Sequence, residues 1–500
     1  TIGYTIVGVI VGPPHGHRKH ARHKEGGEGS KEGRTSASPT ANMARLLFII
    51  ACFASNFGLC HQTTQLRCQE ARDTLDKNWV GGSTIPAAGL YPHQWSWDTA
   101  FIAYGHATYN ITRARIEILS LFKGQWANGL LPHIVFNPKV SPDAYFPGPS
   151  YWLSSTKSNG LAPLEVETSG IVNPPVHVSA VLNLVRRDPS SKETRNFLSH
   201  MYPMLSKWMK YLLRERDPDG NGLVYIRHPW ESGMDNAPQW DAILNNMAVP
   251  KGSIPAYHRT DLNHSNPKDR PSNFTYDRFV SLMICARNQS YSEAAIAASN
   301  SSCPFLVEDP LFNSILAQAA NDMSELALAV EPPQFAESKQ WANIAARVSK
   351  ALESLWSDEI GMYACRNMRS GQMLPARVVG GFGPLLLRQP FPGLSLDHHE
   401  ALLRSMHSSS FWTQYGIPSL DVSDPRFSRR LYWRGPAWYN LNWLFLGGME
   451  TGSGTTTEAE WLRTRMERMV DGSGMREYWD PLNGTAHGAN AFSWTAALYL

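Results

Sequence analysis

The sequence predicts an all-α fold, because apolar residues recur at helical spacing while strand-like alternation is scarce. Apolar stripes with three- and four-residue spacing run through residues 197–212, 311–323 and 341–355. The alternating run at residues 223–226 is too brief to change this prediction. Beyond the N-terminal region, no long linker rich in Pro, Ser or Gly divides the chain. We therefore predict one helical domain over residues 61–500.

Four loop-like segments concentrate tryptophan, acids, glycine and proline, and each leads into an apolar segment. Helices that are apolar on one side must wrap a common core, and an α/α toroid would bring such loops together at one mouth. The sequence therefore favours a toroid whose long loops form a pocket, although periodicity does not give the number of helices. The four segments are Tyr91–Asp98, Pro229–Asp241, Tyr432–Trp438 and Arg476–Pro481.

The N-terminal region is unlike the rest of the chain. Residues 1–42 are polar and basic with little to bury, so we interpret them as disordered or as an artefact of the gene model. Met43 opens a short apolar run that ends in small residues by position 60, which is typical of a signal peptide and too short for a membrane span. The alternative is an ordinary buried helix start. The compartment is secretory in the first case and cytoplasmic in the second.

Charge and cysteine patterns narrow the class of function. The net charge is +3, and much of the basic excess lies in residues 18–24, so no nucleic-acid footprint remains in the predicted domain. Cys285 and Cys303 could form a disulfide or remain free thiols, and no cysteine has metal-ligand spacing. Adjacent His398 and His399 lack the spacing of a helical zinc site. We predict neither a metal nor a cofactor. Six Asn-x-Ser/Thr sites are compatible with secretion, namely Asn110, Asn263, Asn273, Asn288, Asn300 and Asn483.

One acidic turn resembles the start of a calcium-binding loop. Residues 217–222 read Asp-Pro-Asp-Gly-Asn-Gly, but the twelfth position, which needs a bidentate acid, holds His228. A simple turn is therefore the better interpretation.

Aromatic rings beside acids are typical of a sugar site, since a ring stacks on the sugar face while carboxylates bind hydroxyls or transfer protons. Asp235 lies in a tight turn between tryptophans, where an apolar wall would raise its pKa as an acid catalyst requires. Glu231 and Asp241 compete with it for that role. Glu477 or Asp480 could supply the base. These features predict a glycosidase.

Two further residue types have structural alternatives. Asp98 stands where a helix N-cap is expected, so capping and sugar binding are both open. Trp433 and Trp438 flank Arg-Gly-Pro, and we expect one of the two to pack in the core.

With these residues in view, the chain resembles glycoside hydrolase family 63, and within it the short members that hydrolyse mannosylglycerate and glucosylglycerate. The resemblance covers roughly residues 66–500. It implies an (α/α)6 barrel and an inverting mechanism. It rests on five motifs in order: Gln94–Phe101, Gly129–His133, Pro229–Asn236, Tyr432–Trp438 and Glu477–Gly484.

The resemblance implies specific roles for residues of these motifs. Asp235 would be the acid and Glu477 the base. Arg270 and Tyr276 would hold the glycerate carboxylate, and a guanidinium fork suits that anion. Asn173 stands where relatives are expected to have Gln, which puts its sugar contact in doubt. The remaining substrate-binding residues implied are Tyr91, Trp95, Trp97, Asp98, His133, Tyr145, Trp230, Gly233, Tyr432, Trp433 and Trp438.

The resemblance thus implies an inverting α-glycosidase that cleaves α-D-mannosylglycerate, and α-D-glucosylglycerate, to free sugar and D-glycerate. The expected partner is this small substrate, with no nucleic acid and no membrane in the mature chain. Larger members carry an additional N-terminal β domain, and the length of this sequence predicts a chain without one; truncation would also explain the length. Two alternatives stay open: an α-glucosidase of the glycan-trimming type and a catalytically dead sugar-binding protein. The oligomeric state is not predicted.

Overall fold

Helices dominate the structure, a computed structural model that describes residues 62–387, 393–453 and 456–500. The segments interpreted as disordered (1–42) and as a signal peptide (43–60) lie outside these residues, so those two predictions and the compartment stay predictions. The α-helices are α1 Gln62–Lys77, α2 Ser96–Tyr109, α3 Ile111–Phe122, α4 Pro149–Trp152, α5 Ser154–Lys157, α6 His177–Arg187, α7 Lys192–Glu215, α8 Asp241–Leu244, α9 Asn273–Asn288, α10 Glu293–Ala297, α11 Pro310–Ala329, α12 Phe335–Leu352, α13 Leu396–Met406, α14 Tyr439–Gly448, α15 Thr456–Asp471 and α16 Ser493–Tyr499.

Shorter irregular helices and strands join these elements. The 3-10 helices are Pro229–Ser232, Pro238–Trp240, Thr260–Asn263, Pro267–Asp269, Glu353–Leu355 and Val379–Leu386, and a π-helical turn spans Met449–Ser453. The strands are β1 Gln94–Trp95, β2 Ile134–Val135, β3 Tyr225–Ile226, β4 Val307–Glu308, β5 Trp356–Ser357, β6 Met362–Tyr363, β7 Cys365–Asn367, β8 Met373–Leu374, β9 Ala437–Trp438, β10 Tyr478–Trp479 and β11 Ala486–His487.

The three apolar stripes of the sequence are confirmed as helices α7, α11 and α12. Their boundaries follow from local chemistry. The Ser191 hydroxyl accepts the Thr194 backbone N–H at 3.0 Å and caps α7. Asp309 accepts the Phe312 N–H at 2.7 Å, and Pro310 occupies the first turn of α11, where its missing N–H costs nothing.

Six helical segments pack side by side in a closed ring. In ring order they are α2, α6, α11, the 3-10 helix Val379–Leu386, α14 and α16, and α16 packs back on α2. Each has a second helix packed against it, respectively α3, α7, α12, α13, α15 and α1. The core therefore lies between an inner ring and a surrounding layer, which is how helices with one apolar face can bury it.

Ring closure between α2 and α16 depends on a close backbone approach. A Cβ added at Gly105 of α2 would lie 2.3 Å from the Cα of Ala497 in α16. Only glycine permits this separation, since real Cβ atoms do not come so near a backbone atom. This contact joins the first and the last helix of the inner ring.

The small antiparallel sheets hold loops rather than form a layer. β1 pairs with β2, so that Trp95 lies opposite Ile134 just before α2 begins. β10 lies between β9 and β11, with Tyr478 opposite Trp438. β3, β4, β7 and β8 form a four-stranded sheet in that order, and β5 pairs with β6. The Tyr432–Trp438 and Arg476–Pro481 segments, far apart in sequence, are thereby joined.

Cys285 and Cys303, whose state the sequence left open, form a disulfide. Disulfides persist in oxidising compartments, which is where the predicted signal peptide would direct the chain. Within the described part of the chain, no helix is both long and apolar enough to cross a membrane.

Candidate active site

A pocket opens at the N-terminal ends of the inner helices α2, α6, α14 and α16. The space between its walls, including the open mouth, is about 690 Å³. All four loop segments of the sequence contribute to it. Its lining residues are Pro86, Tyr91, Trp95, Trp97, Asp98, His133, Tyr145, Asn173, Trp230, Gly233, Asp235, Asp261, Arg270, Pro271, Tyr276, Tyr432, Trp433, Glu477, Phe492 and Trp494.

The loop that carries Asp235 is shaped by a short 3-10 helix and a glycine. His228 Nδ1 accepts the Trp230 N–H at 3.0 Å and starts the helix Pro229–Ser232. Gly233 ends it with φ of 74°, a left-handed conformation that favours glycine. A Cβ at this position would lie 2.2 Å from the Trp97 ring. The chain can therefore turn tightly against Trp97 and deliver Asp235 to the pocket.

Asp235 has the electrostatics of a proton donor. Burial raises its pKa to about 7, while the Arg270 guanidinium opposes the rise and the Glu477 charge adds to it. A carboxyl with this pKa is substantially protonated near neutral pH, which general acid catalysis requires.

Glu477, immediately before β10, is held by donors on both oxygens. The Tyr91 hydroxyl donates to Oε1 at 2.8 Å, and the Ala489 N–H donates to Oε2 at 2.8 Å. Burial raises the pKa of this carboxyl, and the Arg270 charge is the first influence that opposes the rise. Hydrogen bonds to a carboxylate favour its ionised form. The arrangement therefore suits a base.

The competing acids of the sequence lie elsewhere. Glu231 is fully buried behind the pocket, where the charge of Arg216 outweighs the effect of burial and lowers its pKa to about 2. Asp241 is paired with Arg434, and Asp480 with Arg429 at 2.7 Å. Of the described carboxyls in the two acidic loops, only Asp235 and Glu477 line the pocket.

Arg270 is buried among the pocket residues rather than exposed on a solvated loop. Its Nη2 donates to the Tyr91 hydroxyl at 2.8 Å, and its Nε lies 3.4 Å from Asp261. The guanidinium carbon lies 4.4 Å from the centre of the Tyr432 ring. Nη1 is 3.7 Å from Glu477 Oε1, too far for a hydrogen bond, and has no hydrogen-bond partner among the described residues. The pocket thus contains a guanidinium N–H available to a ligand.

The capping interpretation of Asp98 is wrong. The β1 pairing of Trp95 lets helix α2 begin at Ser96, so Asp98 falls inside the first turn rather than before it. Its carboxyl lines the pocket, and burial, with the charge of Glu477 adding, raises its pKa well above the usual value. A negative group in this turn also complements the helix dipole.

The structure separates the two tryptophans of the Tyr432–Trp438 segment. Trp433 lines the pocket, whereas Trp438 stacks behind it with ring centres 3.9 Å apart and planes within 2°. Trp438 does not line the pocket. It packs in the core, as expected for one of the pair. The Asn236 side chain accepts the Trp433 N–H at 2.9 Å, which ties this loop to the one carrying Asp235.

The other predicted binding residues lie on the pocket wall with distinct polar roles. Asn173 donates from Nδ2 to the Trp230 carbonyl at 3.0 Å, and its buried Oδ1 has no partner in the described structure. Burial lowers the pKa of His133 to about 3, so it is neutral, and its ring lies parallel to that of Trp230. Tyr276 donates to the Phe146 carbonyl at 3.2 Å. The Tyr145 ring contacts Trp95 edge-on.

Five lining residues were not among those predicted. Asp261 lies in a loop without tryptophan, so composition gave no signal for it. Phe492 and Trp494 lie in the last apolar segment, and their aromatic rings were the signal that could have identified them. All five are Pro86, Asp261, Pro271, Phe492 and Trp494.

Residues 91–495 match the model of the mannosylglycerate hydrolase MGH1-like glycoside hydrolase domain. A mannosylglycerate hydrolase of Rubrobacter radiotolerans is 42% identical over 438 residues, covering 86% of this chain and 95% of the relative. A glucosylglycerate hydrolase of Mycolicibacterium hassiacum is 34% identical over 448 residues, covering 87% and 97%.

Among solved structures, a glycoside hydrolase family 63 mannosylglycerate hydrolase from Thermus thermophilus, in complex with Tris and D-glycerate, superposes with a TM-score of 0.77. It is 36% identical, and the match covers 87% of this chain and 99% of that one. The resemblance drawn from the motifs is therefore confirmed.

Proposed function

The chain belongs to the mannosylglycerate hydrolase MGH1-like glycoside hydrolase family, and from that premise we propose that it hydrolyses α-D-mannosylglycerate, and also α-D-glucosylglycerate, to free sugar and D-glycerate. We further propose that it does so with inversion at the anomeric carbon. The relatives with these two activities, each covered almost completely, support the substrate class.

We propose that the closed ring of inner helices is the inner layer of an (α/α)6 barrel. The six inner segments, each backed by a second helix, support this architecture. The pocket then lies at the mouth of the barrel, with its walls supplied by long loops.

In the proposed reaction, Asp235 gives its proton to the glycerate oxygen as the bond from that oxygen to the anomeric carbon breaks. Glu477 accepts a proton from a water molecule that attacks the same carbon from the opposite face. The raised pKa of Asp235 supports the first role, and the donors on both oxygens of Glu477 support the second. One proton leaves the chain and one enters it, so the two carboxyls exchange protonation states in each turnover.

The leaving group of this substrate carries a carboxylate, which needs a counter-charge when it enters a closed pocket. The buried Nη1 of Arg270, without a partner among the described residues, is a donor suited to that anion. The Thermus thermophilus relative was solved in complex with D-glycerate, which supports binding of this anion by the present chain. The tryptophan rings that line the pocket, Trp433 among them, and Asp98 would hold the sugar.

One observation carries the proposal: the partly buried Asp235 and the buried Glu477, which have different partners, face the same pocket as an Arg270 N–H without a partner among the described residues. The test is to assay the purified chain on mannosylglycerate, glucosylglycerate and neutral α-linked disaccharides, and to follow the anomer of the released sugar by NMR. We expect turnover of one or both glycosylglycerates with the β anomer formed first.

Activity on disaccharides alone would identify an α-glucosidase of oligosaccharides instead. Binding of glycosylglycerate without turnover would indicate a sugar-binding protein that has lost catalysis. Initial release of the α anomer would contradict inversion.

A further inference from the structure

Four fully buried charged side chains form a network behind the pocket, and the proposed reaction does not use them. Arg216 donates to both oxygens of Glu231, from Nη2 to Oε1 at 2.9 Å and from Nη1 to Oε2 at 3.0 Å. Its Nε lies 2.9 Å from Glu293, and Arg227 Nε donates to Glu293 at 3.1 Å. These side chains are at most 2% exposed. As described, none of the four lines the pocket.

Two positive and two negative charges balance in this network, which is why it can be buried. The hydroxyls of Tyr211 and Tyr225 donate to Glu293 at 2.8 and 2.9 Å and complete its coordination. Removing one partner would leave an uncompensated charge, so each acid is tightly constrained in position.

Glu231 is the member of the network that belongs to the loop carrying Asp235. It lies in the helix Pro229–Ser232, four residues before Asp235. Besides Arg216 it binds two backbone groups, accepting the Arg227 N–H at 2.6 Å and the Val172 N–H at 3.1 Å. Its carboxylate thus joins three chain segments: the end of β3, the Asp235 loop and the segment before Asn173.

Two of these segments, the Asp235 loop and the one that contains Asn173, meet again at the pocket wall, where Asn173 donates to the Trp230 carbonyl at 3.0 Å. Gly233 then packs on Trp97, and Asn236 binds the Trp433 backbone. Glu231 therefore fixes the start of the loop. The contacts of Gly233 with Trp97 and of Asn236 with Trp433 fix its far end. A shift at Glu231 would be passed to Asp235 along a short, rigid turn.

We propose that Glu231 is a positioning residue for the general acid, holding Asp235 where its proton reaches the glycosidic oxygen. The inference rests on the proposed function, because it assumes that Asp235 is the acid. Glu293 carries the same charge in the same network but lies in α10 and binds no group of the Asp235 loop. It is therefore a matched control.

Misplacing an acid affects only substrates that need a proton. An alkoxide such as that of glycerate is a strong base and needs protonation on departure, whereas fluoride is a weak base and leaves without it. Loss of positioning should therefore slow mannosylglycerate hydrolysis and leave α-mannosyl fluoride hydrolysis largely unchanged. General damage to the pocket would slow both.

The experiment compares Glu231→Gln and Glu293→Gln with the unmodified chain on mannosylglycerate and α-mannosyl fluoride, with circular dichroism to verify folding. For Glu231→Gln we expect kcat on mannosylglycerate to fall by about 100-fold, with KM changed less than about threefold, since small misplacements of catalytic groups cost about this much. Its kcat/KM on the fluoride should stay within about fivefold. Glu293→Gln should keep kcat on both substrates within about fivefold, even if its Tm falls as far as that of Glu231→Gln.

Asp235→Ala separates this inference from the proposed function. If Asp235→Ala spares the fluoride but Glu231→Gln slows both substrates equally, the acid assignment stands and the positioning role is overturned. If Asp235→Ala slows both equally, the acid assignment itself fails. An equal loss of kcat in Glu293→Gln would also overturn the inference.

Should Glu231→Gln fail to fold, Arg216→Gln/Glu231→Gln removes one charge of each sign and keeps the network balanced. The same selective loss on mannosylglycerate is expected of this variant. Unchanged activity in it would overturn the inference.

Discussion

Asp235 and Glu477 face the same pocket, but their closest partners differ. Glu477 accepts hydrogen bonds on both oxygens, whereas burial dominates at Asp235 and raises its pKa to about 7. Arg270 acts on both acids, because its charge favours the ionised form of each. When a carboxylate ligand binds Arg270, part of that influence is withdrawn. The arginine therefore links anion binding with the protonation of the catalytic pair.

We predict that Arg270→Lys changes substrate preference. Lysine keeps the positive charge but cannot present the planar fork that pairs with a carboxylate. The kcat/KM for a glycosylglycerate should fall at least about tenfold more than that for an uncharged aryl α-glycoside. Steady-state kinetics on the two substrates measure the ratio.

Arg259→Lys is the control for this prediction. Arg259 lies in the same part of the chain and pairs with Asp261 at 2.6 Å, but it does not line the pocket. Its substitution should leave the preference unchanged. An equal loss on both substrates for Arg270→Lys would remove Arg270 from the anion site and leave it a role in holding Tyr91 and Glu477.

At the scale of elements, the turn at Gly233 is the most constrained part of the site. We predict that Gly233→Ala lowers kcat by more than about tenfold and lowers the Tm. The left-handed φ of 74° costs alanine about 1 kcal/mol, and the contact of its Cβ with Trp97 adds about 1–3 kcal/mol. Thermal unfolding and kinetics on the same preparation measure both effects.

Gly220→Ala isolates the backbone contribution. Gly220 has φ of 65°, and no atom lies within 4 Å of the Cβ that alanine would add. Its substitution carries the strain without the collision, so it should cost only about 1 kcal/mol and spare activity. If Gly233→Ala behaved no worse than Gly220→Ala, contact with Trp97 would not control the loop.

The elements that sequence predicted well are those with a continuous buried face. Helices α7, α11 and α12 repeat apolar residues over several turns, and the structure confirms them. The inner 3-10 helix Val379–Leu386 contains three glycines and a proline, so no helical period could reveal it. Strands of two residues are likewise too short to alternate.

Within the site, the sequence identified side chains by composition but could not rank them by depth. Trp433 and Trp438 share one motif and one residue type, and only the structure shows that Trp433 lines the pocket while Trp438 stacks behind it. Glu231 and Asp235 lie four residues apart in one loop. Burial raises the pKa of Asp235, whereas Arg216, which follows α7 and is distant from the loop in sequence, lowers that of Glu231.

At the scale of the whole molecule, the pocket is made by helix pairs distant in sequence. Ring closure brings α16 onto α2, so Phe492 and Trp494 line the same site as the Tyr91–Asp98 loop. Many buried charged groups are enclosed as a result. The charge of Glu231 is balanced by arginines. The ionised form of Asp235, by contrast, is disfavoured by burial.

This difference gives a pH-dependent effect on global stability. The pKa of Asp235 is raised from 3.8 to about 7 by burial, so the folded chain binds this proton more tightly than the unfolded chain. The stability contributed by the bound proton is fully present below pH 4 and is lost as pH rises through 7. We predict that Asp235→Asn, which cannot ionise, has a Tm higher than the unmodified chain at pH 8, by on the order of 2 °C. The difference should vanish near pH 4.

Measuring Tm for both proteins from pH 4 to 8 isolates this group, because other titrating residues are common to the pair.

Glu231→Gln provides a control of opposite sign. The pKa of Glu231 is lowered to about 2, so its charge stabilises the fold across the whole range, and its substitution should lower the Tm at pH 8. Asp235→Asn should gain stability at pH 8 while losing turnover of glycosylglycerates. This trade-off is expected where an active site retains an acid whose ionised form is disfavoured by its surroundings. A Tm difference that does not change with pH would show that Asp235 does not titrate in this window, and the acid role would then need another carboxyl.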